Sequence, residues 1–125
     1  MHNSILIVDD NPSIRKAIRL DLEGRNGLHV CGEAVDGSDA IEKARRLKPD
    51  LIILDFSMPV MNGLQAAAVL SREMPTVPLI LFTMHAAFVA ASEVRSSGIS
   101  AVVPKDQGSD GLFIQALTLL GLRHD

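Results

Sequence analysis

The sequence predicts an α/β domain with a doubly wound, five-stranded parallel sheet in the order 2-1-3-4-5. Three observations carry that expectation. Short apolar runs rich in Ile, Val and Leu occur five times within 125 residues. Between and after them lie stretches with apolar positions at helical spacing. The first, third and fourth runs are apolar without alternation, as parallel strands covered by helices on both faces should be.

The first strand is Ile5 to Val8, and Asn11-Pro12 then supplies an N-cap and a proline at the first helical position. Ile14, Ala17, Ile18 and Leu22 mark one face of that helix, which should stop at Gly24. Leu28 to Ala34 is the second strand. Asp36 or Ser38 caps a second helix, through Ala40, Ile41, Ala44 and Leu47, that ends before Lys48-Pro49. Leu51 to Leu54 is the third strand, and Asn62-Gly63 opens a third helix that must finish before Pro75. Leu79 to Phe82 is the fourth. A fourth helix is expected from about Met84 to Ser97, closed by Gly98; the fifth strand is Ala101 to Val103. The fifth helix should start near Ser109 or Asp110 and reach about Leu120. Residues 1–125 thus read as one domain, with no linker, repeat or output domain among them.

Composition narrows the function. A chain of this size buries enough surface to need no disulfide or structural metal, and its one cysteine, Cys31, reads as a small buried hydrophobe. No apolar run approaches the roughly 20 residues of a membrane helix. The start, Met1-His2-Asn3-Ser4, lacks the basic region of an export signal, so a cytoplasmic location without membrane contact is expected. A net charge of −3, with four Phe and no Tyr or Trp, disfavours direct nucleic-acid binding.

The polar residues at the strand ends carry the chemistry. Strand one ends in Asp9-Asp10, strand three in Asp55, strand four in Thr83 and strand five in Lys105. The sheet order brings these groups to one crevice at the carboxyl ends of the strands. Asp-Asp after a strand is also a common helix-capping pair, and a lone Lys or Thr there is commonly an edge or turn residue. Four complementary ends together are more specific. Three adjacent carboxylates repel one another, and a hard divalent cation held by carboxylates, a backbone carbonyl and waters, as Mg²⁺ is, relieves that repulsion. The segment after Asp55, Phe56-Ser57-Met58-Pro59, can offer the carbonyl. Lys105 and Thr83 complete a cradle for a phosphoryl group, with an Asp oxygen as nucleophile.

From Ile5 to about Leu120 the chain resembles the receiver domains of bacterial two-component response regulators. The resemblance rests on Ile7-Val8-Asp9-Asp10, on Pro49-Asp50-Leu51-Ile52-Ile53-Leu54-Asp55-Phe56-Ser57-Met58-Pro59-Val60-Met61-Asn62-Gly63, on Leu81-Phe82-Thr83, and on Gly98 ahead of Val102-Val103-Pro104-Lys105-Asp106. It implies that Asp55 accepts a phosphoryl group from a sensor histidine kinase. It also implies that Asp10, Asp55 and the Ser57 carbonyl ligate Mg²⁺ directly, and that Asp9 does so through water. Lys105 and Thr83 would contact phosphoryl oxygens. Such a protein phosphorylates itself from the donor and slowly dephosphorylates, rather than turning over as a conventional enzyme. The Lys105-Asp106 pair and the loop after Met58 look most like regulators with a helix-turn-helix output.

The sequence departs from that family at several positions. Met84 follows Thr83 where a small residue is usual; it either slows donor access or hydrolysis, or packs into the following helix. Val102 replaces the aromatic switch residue. Asp106 replaces the common proline after the lysine, so the Lys105-Asp106 bond is expected trans. His85 occupies a place that tunes hydrolysis in the family, or is an exposed helix-start residue.

The apolar run Ala86 to Ala91, and Leu112, Phe113, Ile114, Leu117, Leu119, Leu120 and Leu122, exceed what one buried helix stripe needs. A homodimer or partner surface on helix four, strand five and helix five is expected. A phosphate-independent binding module is the competing reading. A phosphatase would need an acid two residues after Asp55, where Ser57 stands, and a flavin protein would need a phosphate loop and stacking aromatics.

Overall fold

The structure, a computed structural model, describes residues 3–84, 86–107 and 110–122. Five strands pair in parallel in the order β2-β1-β3-β4-β5. They are β1 (Asn3–Val8), β2 (Leu28–Ala34), β3 (Leu51–Leu54), β4 (Leu79–Thr83) and β5 (Ala101–Pro104). The helices are α1 (Pro12–Leu22), α2 (Gly37–Leu47), α3 (Gly63–Glu73), α4 (Ala91–Ser97) and α5 (Asp110–Leu119). No described helix is long and apolar enough to cross a membrane.

Because side chains alternate across a strand, the unbroken apolar strands feed two cores. Ile5, Ile7, Leu51, Ile53, Ile80 and Phe82 join Ile18, Leu22, Leu112 and Leu117 under α1 and α5. Leu6, Val8, Ile52, Leu54, Leu79 and Leu81 join Ala40, Ala44, Ala66, Ala67 and Leu70 under α2 and α3. This burial on both faces explains why β1, β3 and β4 lack alternation in the sequence.

Three helix starts follow the expected caps. Asn11 accepts from the amides of Ser13 and Ile14, Asp36 rather than Ser38 accepts from that of Asp39, and Asn62 forms a reciprocal box with Gln65. The fourth helix differs from expectation. Instead of running from Met84, the chain makes a 3-10 turn over Ala86–Phe88 and enters α4 only at Ala91, through an extended Ala90 with no side-chain cap. Alanine favours helix, so propensity does not account for the break. Packing does: Val89 and Val94 both pack against the α2/α3 core. Five residues apart on one continuous helix, they would point about 140° from each other. The break lets both meet the sheet, and Gly98 closes α4 at φ +84°.

That break removes much of the expected apolar surface. Ser92, Glu93, Arg95 and Ser96 of α4 are exposed. In α5, Leu112 and Leu117 are buried, while Phe113 and Leu119, with Leu120 and Leu122 beyond the helix, pack against the α1/α5 core. Among the described residues the exposed large hydrophobics are Leu20, Val35, Val60, Met84 and Ile114, and only Ile114 lies on α5. The sheet absorbs the surplus because it is the nearest apolar surface. Cys31 is half-buried, burial pushes its thiol pKa up, and its Sγ donates to the Ile5 carbonyl at 3.4 Å.

Candidate functional site

The strand ends meet because the ladder runs one residue past the assigned strands. The Asp9 amide donates to the Ala34 carbonyl at 3.1 Å, and the Asp55 amide to the Val8 carbonyl at 2.9 Å. Thr83 closes β4 opposite Pro104, and Lys105 follows β5 directly. Asp9, Asp55 and Thr83 are buried, whereas Asp10 is exposed. Four sequence-predicted groups of the cradle, Asp9, Asp10, Asp55 and Lys105, therefore stand together, with Thr83 at the adjoining strand end.

One carboxylate oxygen from each of Asp9, Asp10 and Asp55 lies within 4.8 Å of the others. Lys105 Nζ is 2.6 Å from Asp9 Oδ2 and 3.2 Å from Asp55 Oδ1. The resemblance implies a phosphoryl oxygen as the lysine's partner; here its charge is spent bridging two acids. Burial, and then the neighbouring Asp9 charge, pushes the Asp55 carboxyl above the usual carboxylate range despite the Lys105 ammonium. Three acids against one lysine leave excess negative charge on hard oxygen donors. That donor set fits a magnesium ion and not a soft metal.

The carboxylates line a cavity of about 540 Å³ that also includes the apolar Ile14 and Ile18 of α1 and Phe82. Ser57 and Met84 also line it. Met84 is 62% exposed. Val102 is half-buried and packs against the α2/α3 core. The Lys105-Asp106 bond is trans. His85 lies outside the described residues, as does Ser109.

Two local devices were not legible in the sequence. The Met61 amide bonds back to the Pro59 carbonyl at 2.7 Å, closing a tight turn about Val60 at φ +70°. A β-branched residue is strained there, and such strain at a site costs of order 1–3 kcal/mol. The turn delivers Gly63 onto the backbone of Asp55: a Cβ at Gly63 would lie 2.2 Å from the Asp55 carbonyl oxygen. The second device is Arg15, whose Nη1 donates to the Asp9 carbonyl at 2.7 Å and whose Nε meets Glu33 at 2.9 Å. Its signal is faint, an arginine one turn into α1 and a Glu on the same sheet face as Ile7.

Residues 5–117 match the family described as response regulator receiver domain. The chain is 40% identical over 107 residues to protein-glutamate methylesterase/protein-glutamine glutaminase 3 of Hahella chejuensis, which covers 83% of this chain and 30% of that protein. It is 36% identical over 123 residues to a transcriptional regulator of Pseudomonas aeruginosa described as putative, covering 98% of this chain and 59% of that one. The chain thus spans less than two-thirds of the length of these curated relatives. Among solved structures it is similar to the response regulator domain of Thermotoga maritima CheB. That similarity has a TM-score of 0.87 and 26% identity, covering 99% of this chain and all of that one. The match runs from the first strand into the fifth helix, through every strand end described above, and the chain belongs to the response regulator receiver domains.

Proposed function

We propose that this receiver domain takes a phosphoryl group on Asp55 from the phosphohistidine of a sensor histidine kinase. The observation that carries the reading is the clustering of three carboxylates beside one lysine at the mouth of a cavity. Asp55 Oδ attacks phosphorus, the P–N bond to the imidazole breaks, and the ring nitrogen leaves with the electron pair. Lys105, already 3.2 Å from Asp55, pairs with a phosphoryl oxygen as charge develops there, and the Thr83 hydroxyl takes another. Asp10, Asp55 and the Ser57 carbonyl would hold Mg²⁺, with Asp9 acting through water. Receiver domains bind that ion at such an acidic pocket, and when bound it supplies positive charge against the clustered oxygens. Met84 at the cavity slows donor entry or hydrolysis.

Residues 1–125 act in this reading as one regulatory domain in the cytoplasm, with no nucleic-acid contact of its own. The phosphoryl group is read out through α4, β5 and α5, by a homodimer or an output domain. β5 is an edge strand, and among the described residues Ile114 is an exposed hydrophobe of α5. A helix-turn-helix output remains part of the proposal.

A second reading, a binding module that does not switch through phosphate, draws on Val102, a half-buried valine packed against the α2/α3 core where the resembling family carries an aromatic switch. Incubation with Mg²⁺ and acetyl phosphate, followed by intact-mass measurement, separates the two. One added phosphoryl group, lost in Asp55→Asn or without Mg²⁺, is the expected result. No addition in the wild type overturns the first reading in favour of the second. Size-exclusion chromatography with and without the phosphoryl group then tests the dimer.

A further inference from the structure

We propose that Arg15 is a positioning residue for the acidic pair, acting on Asp10 through the backbone of Asp9; the inference rests on the magnesium-site reading above. Asp9 lies one residue past the last β1–β2 pair, Val8 with Ala34. Beyond that point β2 turns away into α2, and the Val35 amide goes to the Asp39 carboxylate at 3.0 Å. The Asp9 carbonyl instead takes the Arg15 guanidinium at 2.7 Å. A charge-assisted bond to a carbonyl is among the stronger kinds.

The peptide group is planar, so holding the Asp9 oxygen sets the plane from which Asp10 departs. This matters because Asp10 is exposed, and no described residue makes a hydrogen bond or ion pair with its carboxylate. Asp9 itself is fixed further: its Oδ1 accepts from the Asn11 amide at 2.9 Å and its Oδ2 from Lys105 at 2.6 Å. Among the described residues, Asp10 is therefore restrained through its backbone.

Arg15 is in turn paired with a carboxylate. Glu33 takes Arg15 Nε on one oxygen and Arg19 Nε on the other, at 2.9 and 2.8 Å. The Arg15 side chain is 15% exposed. The guanidinium therefore has one carboxylate partner and one carbonyl target, and it carries a fixed positive charge behind the three acids. Glu33 is the counter-charge of Arg15, and the arginine's own bond to the Asp9 carbonyl is what aims the Asp9-Asp10 peptide.

Titration calorimetry with MgCl₂ on the whole chain tests this without requiring activity. Arg15→Gln should weaken Mg²⁺ binding about tenfold, the size typical of losing a group that orients a ligand. Arg15→Lys keeps a donor for the carbonyl and should recover most of that loss. Glu33→Gln removes the charge pairing but leaves Arg15 its target, and should change the Kd by no more than about twofold.

A wild-type Kd in Arg15→Gln overturns the proposal. So does equal weakening in Arg15→Gln and Glu33→Gln, which would make the arginine only a staple between α1 and β2. Should Arg15→Gln fail to fold, a Kd in Arg15→Lys more than about tenfold weaker than wild type overturns it. A wild type that binds no Mg²⁺ overturns both this inference and the metal reading. A wild type that binds Mg²⁺ but takes no phosphoryl group overturns the phosphoacceptor reading alone, and the Kd ratios still decide the role of Arg15.

Discussion

On the β1 side of the carboxylate cradle, α1 starts on a side-chain cap at Asn11, and Arg15 and Arg19 tie it to Glu33 of β2. On the β4 side, α4 starts on Ala90 with no side-chain cap and runs only seven residues. The first flank carries the acids Asp9 and Asp10, whose positions must persist whether or not a ligand is present. The second carries Thr83 and Met84, and β5 supplies Lys105. Elements with few restraints open at lower free energy than those held by caps and ion pairs. The comparison teaches where this domain is stiff and where it can respond. In the proposed function, a phosphoryl group on Asp55 would meet the side tied down by a cap and ion pairs on one flank and the sparsely restrained α4 side on the other.

Lys105 joins the two flanks, and its removal should have the largest effect. Lys105→Met leaves Asp9 and Asp55 buried without their cation, and breaking a buried pair from one side costs roughly 3–5 kcal/mol. Urea unfolding at pH 7 without Mg²⁺ measures it, and added Mg²⁺ should return part of the loss. A loss below about 1 kcal/mol would mean that Asp55 is already neutral or that water reaches the acids freely.

Gly63→Ala comes next. Its Cβ would meet the Asp55 carbonyl oxygen at 2.2 Å and Leu81 Cδ1 at 3.0 Å. Overpacking of this kind costs about 1–3 kcal/mol. Because the atom displaced is backbone, the variant should also lose phosphorylation rate, and intact-mass time courses with acetyl phosphate read that loss.

Removing the Asp55 charge should stabilise. Its folded pKa is raised above that of the unfolded chain. As pH rises, the unfolded chain therefore releases this proton first, and stability falls until pH passes the folded pKa. The penalty is complete above the folded pKa and absent below the ordinary carboxylate range. Asp55→Asn should raise the Tm at pH 7 without Mg²⁺, and that gain should shrink toward pH 3. A gain independent of pH would separate the effect from Asp55 ionisation.

The caps give the smallest effects and compare the flanks most directly. Asn11→Ala should cost about 1 kcal/mol, whereas Ala90→Asp, supplying the cap that α4 lacks, should gain up to about 1 kcal/mol. If Ala90→Asp also slows any phosphorylation-linked change in oligomeric state, the loose helix start belongs to the response. Equal and opposite stability changes with no such slowing would confine it to folding.

Most of the architecture is legible in the sequence. Five short apolar-rich strands, three of them unbroken, each followed by helical spacing, leave few topologies. The order 2-1-3-4-5 then places Asp9, Asp10, Asp55, Thr83 and Lys105 at one edge. The sequence by itself determined those features because they depend on local periodicity and on chain order. Tertiary structure decided the rest. Val89 and Val94 had to reach the same core, so the alanine-rich segment broke where propensity favoured helix. The leucines beside Ile114 had a sheet nearby to cover, so the apolar excess of α5 turned inward. Arg15 and Glu33 found each other across 18 residues of chain, and the Asp9 carbonyl became the arginine's target only because β2 ends at Ala34. Contacts of that kind depend on where two separate elements stop, and no local pattern in either element records it.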